Sequence, residues 1–183
     1  MLNNLIKSLE EAPVVKRGEY DYFIHPITDG IPCLEASLLR EIVMAFIKVL
    51  KLDYVDKIVT AEAMGIHIGT ALSLATDIPL TVMRKRPYGL PGEIAVHQTT
   101  GYAKGELYLN GVNPGDRVVI VDDVCSTGGT MCALIDALMQ AQAEVVDSCV
   151  VIKRGDPRVS CPYKTLVTVE VSEDRVHVVD TCF

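Results

Sequence analysis

The chain has 183 residues, 49% of them hydrophobic, with a formal net charge of −7. That length allows one sizeable buried core, and that hydrophobic content excludes a disordered chain. The acidic balance argues against a protein that grips nucleic acid through its phosphates, so a bound polyanionic small molecule must meet local cations or a metal.

Residues 2–11 predict a short amphipathic helix with Leu2, Leu5, Ile6 and Leu9 on one face. This acidic opening lacks the continuous apolar core of a signal peptide. No apolar run reaches membrane-spanning length, since residues 42–52 are interrupted by Lys48 and Lys51. The expectation is a cytoplasmic protein with neither membrane nor nucleic acid as partner. Residues 20–24 predict a short strand, and the Pro- and Gly-punctuated stretch that follows reads as a loop. Residues 33–52 predict a long helix, with Leu34, Leu38, Ile42, Ala45, Phe46 and Val49 at helical spacing.

From there strands and helices alternate. Residues 57–61 and 79–85 predict strands around a helix at 67–76. Residues 117–123 predict a strand that feeds a helix at 129–143, and 144–154 and 164–172 are further strands. Several are apolar on both faces, as buried parallel strands are. The expectation is an α/β fold, a Rossmann-like parallel sheet flanked by helices, forming a single domain over 1–183. Residues 86–105, with four glycines and two prolines, break the rhythm. Such a stretch reads as a functional lid or as a hairpin excursion, since 105–111 predicts a strand ending in an Asn-Gly turn. None of the six cysteines forms a C-x-x-C pair, and the four histidines have no metal-ligand spacing to them, so free thiols are expected.

The segment "VVIVDDVCSTGGT" (118–130) carries the most chemistry. In open α/β sheets ligands bind at the carboxyl ends of the strands, where Asp122 and Asp123 are expected. Ser126, Thr127, Gly128, Gly129 and Thr130 would then wrap into a helix N-terminus, where backbone N–H groups and the helix dipole favour an anion. No lysine follows the glycines, so this is not a Walker loop, and the dinucleotide fingerprint is absent. Ionised carboxylates accept hydrogen bonds and suit sugar hydroxyls and hydrated Mg²⁺. A ribose 5-phosphate satisfies both halves: phosphate in the 126–130 loop, hydroxyls on the aspartates.

The same segment closely resembles the phosphoribosyl pyrophosphate signature of type I phosphoribosyltransferases. "AEAMGIHIGTALSLATDIPLTVMRKRPYGLPGE" (61–93) is similar to the corresponding stretch of adenine-type members, a branch that includes archaeal hypoxanthine/guanine enzymes. The resemblance implies the type I phosphoribosyltransferase fold, with a small N-terminal hood (1–32) and a mobile β-ribbon loop (86–105). It implies transfer of ribose 5-phosphate from phosphoribosyl pyrophosphate to a purine, with Mg²⁺ as cofactor, in a homodimer. Hypoxanthine or guanine is the expected base. Adenine is the alternative, and a non-catalytic metabolite sensor a further one.

Carried over, the resemblance assigns Asp122 and Asp123 to the ribose hydroxyls, touching the metal only indirectly. It assigns 126–130 to the 5-phosphate. Glu62, Ala63, Met64 and Gly65 would form the pyrophosphate turn, which in this family often contains a non-proline cis peptide, and Arg84, Lys85 and Arg86 would meet the pyrophosphate charge. In the hood, Phe23 and Ile24 would stack on or flank the base, Phe23 reading equally as core, and His25 would donate to a 6-oxo group or be satisfied by local backbone. The family's loop glutamate is replaced by Gly101, leaving Tyr102, Lys104 or His97 for proton transfer. Of these, histidine is the side-chain type that titrates nearest neutral pH.

Overall fold

The computed structural model describes residues 2–18, 20–99, 104–172 and 174–183. Helix α1 (Asn3–Glu10) opens the chain. The hairpin β1 (Val14–Arg17) and β2 (Tyr20–Phe23) follows, then a single helical turn, α2 (Pro26–Asp29). Helix α3 (Ala36–Val49) leads into β3 (Lys57–Ala61), α4 (Gly65–Thr76) and β4 (Leu80–Met83). A ribbon of β5 (Ile94–Thr99) and β6 (Lys104–Leu109) separates these from β7 (Arg117–Cys125), α5 (Gly129–Gln140), β8 (Glu144–Arg154), β9 (Lys164–Ser172) and β10 (Arg175–Thr181).

Six strands form one sheet in the order β10-β9-β8-β7-β3-β4, parallel throughout except for β10, which pairs antiparallel with β9. This antiparallel edge departs from the all-parallel expectation. Only two residues separate β9 from β10, too few for a parallel crossover, so the strands pair antiparallel. The expected strands and long helices are present with shifts of a few residues at their ends.

Alternation along the central strands sorts the core. Val119 and Val121 join Leu5, Leu9, Ile42, Phe46, Ile68 and Leu72 on the face covered by α1, α3 and α4. Val118 and Ile120 join Met131, Leu134, Ile135 and Leu138 of α5 on the other, with Val96, Leu107 and Leu109 of the ribbon. The two βαβ crossovers start from β3 and β7 and run in opposite directions across the sheet, which puts α4 and α5 on opposite faces. All six cysteines are free thiols. No helix among the described residues is long and apolar enough to cross a membrane.

Candidate active site

From β3 the chain crosses outward to β4, whereas from β7 it crosses the other way to β8, so the order of winding reverses between β3 and β7. Their pairing ends at Val59↔Ile120, while β7 continues alongside β8 to Cys125↔Lys153. A cleft of about 260 Å³ opens there, at the carboxyl ends of the strands. β7 runs two residues past the expected strand, so Asp122 and Asp123 lie within it rather than at its end.

Both aspartates line the cleft yet are buried, at 5% and 9% exposure. Burial pushes the Asp122 carboxyl up to about 6. Burial, and then the neighbouring Asp122 charge, push Asp123 well above the ordinary carboxylate range. Asp122 Oδ1 accepts from the Asp123 backbone N–H at 3.1 Å. Two desolvated carboxylates side by side are poised to be stabilised by hydroxyl donors or by positive charge from a ligand.

Ser126, Thr127, Gly128, Gly129 and Thr130 all line the same cleft. Gly128 sits at φ +89°, and a Cβ there would come within 2.5 Å of the Arg158 carbonyl oxygen. Only glycine therefore allows the loop to turn into α5 against the 158 backbone. Opposite, the Glu62–Ala63 peptide is cis, and Glu62, Ala63 and Met64 line the cleft. Gly65 lies beneath: a Cβ on it would stand 1.9 Å from Thr60 Oγ1 and 2.7 Å from Asp122 Oδ1. At Gly65 the backbone thus packs against Asp122 too closely for any side chain.

The basic cluster splits. Lys85 faces the cleft. Arg84 lies outside its lining and donates through Nε to Glu62 Oε2 at 2.7 Å, while the Lys85 backbone N–H donates to the same oxygen at 3.2 Å. These two bonds, the arginine's first, hold the Glu62 carboxyl below its usual range. Arg86 is exposed and donates to the Tyr88 hydroxyl at 3.2 Å.

The N-terminal segment contributes Tyr20, Tyr22, Phe23 and Thr28 to the cleft. Phe23 is buried there, but Ile24 is not part of the lining and donates its backbone N–H to the Pro13 carbonyl. His25 is a correction. Its ring is fully buried, Nδ1 accepts from the Ile27 N–H at 3.2 Å as the cap of α2, and Nε2 meets Ser8 Oγ at 2.9 Å. Burial lowers its pKa to about 4, so it stays neutral, with both ring nitrogens engaged away from the cleft. It is not part of the cleft lining.

His97 also stands apart. Its side chain is 87% exposed on the outside of the ribbon, 3.9 Å from Glu106, and outside the cleft. Gly101 and Tyr102 lie outside the described residues, as does the Lys104 side chain. Sequence reasoning missed Tyr20, Tyr22 and Thr28 among the polar residues that line the cleft, and also Gln98 and Arg154. Arg154 closes the apolar run of β8, and the rule that ligands gather at strand carboxyl ends, applied to β8 as it was to β7, would have found it. Gln98 carried no such signal.

Residues 37–182 match the phosphoribosyl transferase domain family. The chain is 64% identical to a hypoxanthine/guanine phosphoribosyltransferase of Methanosphaerula palustris, with 98% of each chain covered. It is 57% identical to one of Methanospirillum hungatei, again with 98% of each covered. Among solved structures, the fold is similar to adenine phosphoribosyltransferase of Rhodothermus marinus at a TM-score of 0.71 and 23% identity, covering 91% of this chain and 99% of that one.

Proposed function

This chain belongs to the phosphoribosyl transferase family, and from that premise we propose that it makes IMP or GMP by transferring ribose 5-phosphate from phosphoribosyl pyrophosphate to hypoxanthine or guanine. Near full-length relatives at 64% and 57% identity carry that name. The observation that carries the reading is the meeting, in one cleft, of a buried carboxylate pair with a helix-N-terminal loop built for an anion.

In the reaction the bond from ribose C1 to pyrophosphate breaks, the bonding pair leaving with pyrophosphate. A ring nitrogen of the base forms the new bond to C1, and the proton that the base loses passes to water. The 126–130 backbone and hydroxyls hold the 5-phosphate. Asp122 and Asp123 accept from the ribose 2′ and 3′ hydroxyls, and their negative charge offsets the positive charge that grows on the sugar ring. Lys85 and the 62–64 backbone take the pyrophosphate, with Glu62 holding Arg84 and the Lys85 backbone in place. Among the described residues no cluster of three or more His, Cys, Asp or Glu could hold a metal alone. Two hard carboxylates nevertheless fit Mg²⁺, which keeps most of its ligands from water and phosphate oxygens. When bound, Mg²⁺ supplies charge neutralisation on the diphosphate.

The base would lie beside the hood aromatics and Arg154, whose Cζ is 4.1 Å from the Tyr20 ring centre and 5.9 Å from that of Phe23. A guanidinium only donates, so it favours the 6-oxo acceptor of hypoxanthine or guanine over the 6-amino group of adenine. Similarity to adenine enzymes at 23% identity speaks for the fold and not for the base. The accompanying expectations are a single domain with residues 1–32 as hood, acting as a cytoplasmic homodimer.

The test is incubation with Mg²⁺, phosphoribosyl pyrophosphate and adenine, hypoxanthine, guanine or xanthine in turn, following nucleotide formation. IMP and GMP without AMP are expected. AMP alone would reassign the base, and no product from any base, with phosphoribosyl pyrophosphate still bound, would make the protein a sensor.

A further inference from the structure

The β5–β6 ribbon docks on the sheet and α5 through Val96, Leu107 and Leu109, which share a buried cluster with Met131 and Ile135. Two residues beyond Val96, on the same face of the strand, Gln98 reaches the cleft. There its Nε2 donates to Thr130 Oγ1 at 2.7 Å. Thr130 is the second residue of α5 and lines the same cleft. One hydrogen bond therefore joins the outer part of the ribbon to the anion loop.

A threonine hydroxyl has one hydrogen to give and two lone pairs to receive. Bonded to the Gln98 amide N–H, the Thr130 oxygen spends a lone pair on the ribbon and keeps its hydrogen. A phosphate only accepts, so the Thr130 hydrogen must turn to it. Gln98 must then present nitrogen rather than its carbonyl oxygen, which is the orientation observed. We propose that Gln98 is a positioning residue that sets the Thr130 hydroxyl for the 5-phosphate and ties the ribbon to that seat. This rests on the reading of residues 126–130 as a phosphate loop.

The test uses the wild type, Gln98→Leu, Thr130→Val and the double variant, with two readouts. The first is amide hydrogen exchange over residues 94–98 in ligand-free protein. Each single substitution is expected to speed it several-fold, and the double to add nothing. The second is the dissociation constant of ribose 5-phosphate, expected to rise about tenfold in Gln98→Leu, the cost of one lost bond to an oriented hydroxyl. That rise should vanish in the Thr130→Val background. KM for phosphoribosyl pyrophosphate should follow it while KM for the base stays put, a split that general loosening would not produce. Gln98→Glu, which only accepts and brings a like charge beside the phosphate, should weaken binding more than Gln98→Leu does.

Effects that multiply in the double variant, or a Gln98→Leu protein indistinguishable from wild type in both readouts, would overturn the proposal. Wild-type protein that fails to bind ribose 5-phosphate would overturn the phosphate seat and with it the hydroxyl-setting role. The exchange data, which need no ligand, would then decide the ribbon tie alone.

Discussion

The Arg154 guanidinium carbon lies 4.1 Å from the centre of the Tyr20 ring, joining the carboxyl end of a core strand to the N-terminal hairpin. The contact puts a fixed, donor-only cation where the hood meets the cleft. An arginine stacked on an aromatic face is pre-organised, so little rotamer entropy is lost when it bonds a ligand.

Replacing Arg154 by leucine should therefore cost recognition of the base and not of the sugar phosphate. A hydrogen bond to a charged donor is worth about 1.5–3 kcal/mol, so KM for hypoxanthine should rise roughly tenfold to a hundredfold. KM for phosphoribosyl pyrophosphate should hold near wild type, and the ratio of hypoxanthine to adenine turnover should fall. Steady-state kinetics with both bases checks this. A uniform loss for both substrates would remove Arg154 from the base site.

Asp122→Asn and Asp123→Asn keep the side-chain shape and remove the charge. If the pair offsets charge that appears only in the transition state, kcat should fall by about two to three orders of magnitude. Binding of ribose 5-phosphate should weaken far less, because an amide oxygen still accepts from a sugar hydroxyl. Folding should be unimpaired, since each substitution replaces a buried carboxylate by a neutral group. Single-turnover rates and thermal melts on the same preparations separate the two effects.

Gly128→Ala tests the anion loop through its backbone. The new methyl would meet the Arg158 carbonyl oxygen at 2.5 Å at a residue held at φ +89°. Strain of this kind costs about 1–3 kcal/mol, and relief requires the loop to move. Lower thermal stability should accompany weaker ribose 5-phosphate binding, read by calorimetry. A Gly128→Ala protein that binds as tightly as wild type would show that the 126–130 backbone does not set the phosphate site.

The legible parts of this molecule were those with a local physical signature. The all-apolar run of β7, its two aspartates and the glycine-rich turn after it follow from strand burial and helix-terminus electrostatics. Charge counting singled out the Arg84–Arg86 cluster but not its division of labour. Only Lys85 faces the cleft, because Glu62, a residue far off in sequence, draws Arg84 aside. Gln98 and Arg154 become visible only when the ribbon and β8 are brought to the cleft, a long-range packing outcome. β10 was not among the expected strands, so its antiparallel return was missed with it.

His25 shows the same limit, and it supplies a pH test. A histidine in a hood loop offered two readings, and tertiary packing chose between them by burying the ring between Ser8 and the first turn of α2. Its folded pKa of about 4 lies below the ordinary 6.5, with burial lowering it and Asp29 only partly opposing. The folded state thus binds fewer protons than the unfolded chain between those values. Stability from this group is complete above about pH 6.5 and is lost as pH falls through about 4, a total of roughly 3 kcal/mol. His25→Asn keeps a capping acceptor and removes the titration. Its stability at pH 7.5 should be lower than wild type, because the ring's packing and its Ser8 bond are gone, yet the gap should narrow steadily toward pH 4.5. Denaturant midpoints at the two pH values measure this. A gap that stays constant would mean that His25 is not held neutral in the folded protein.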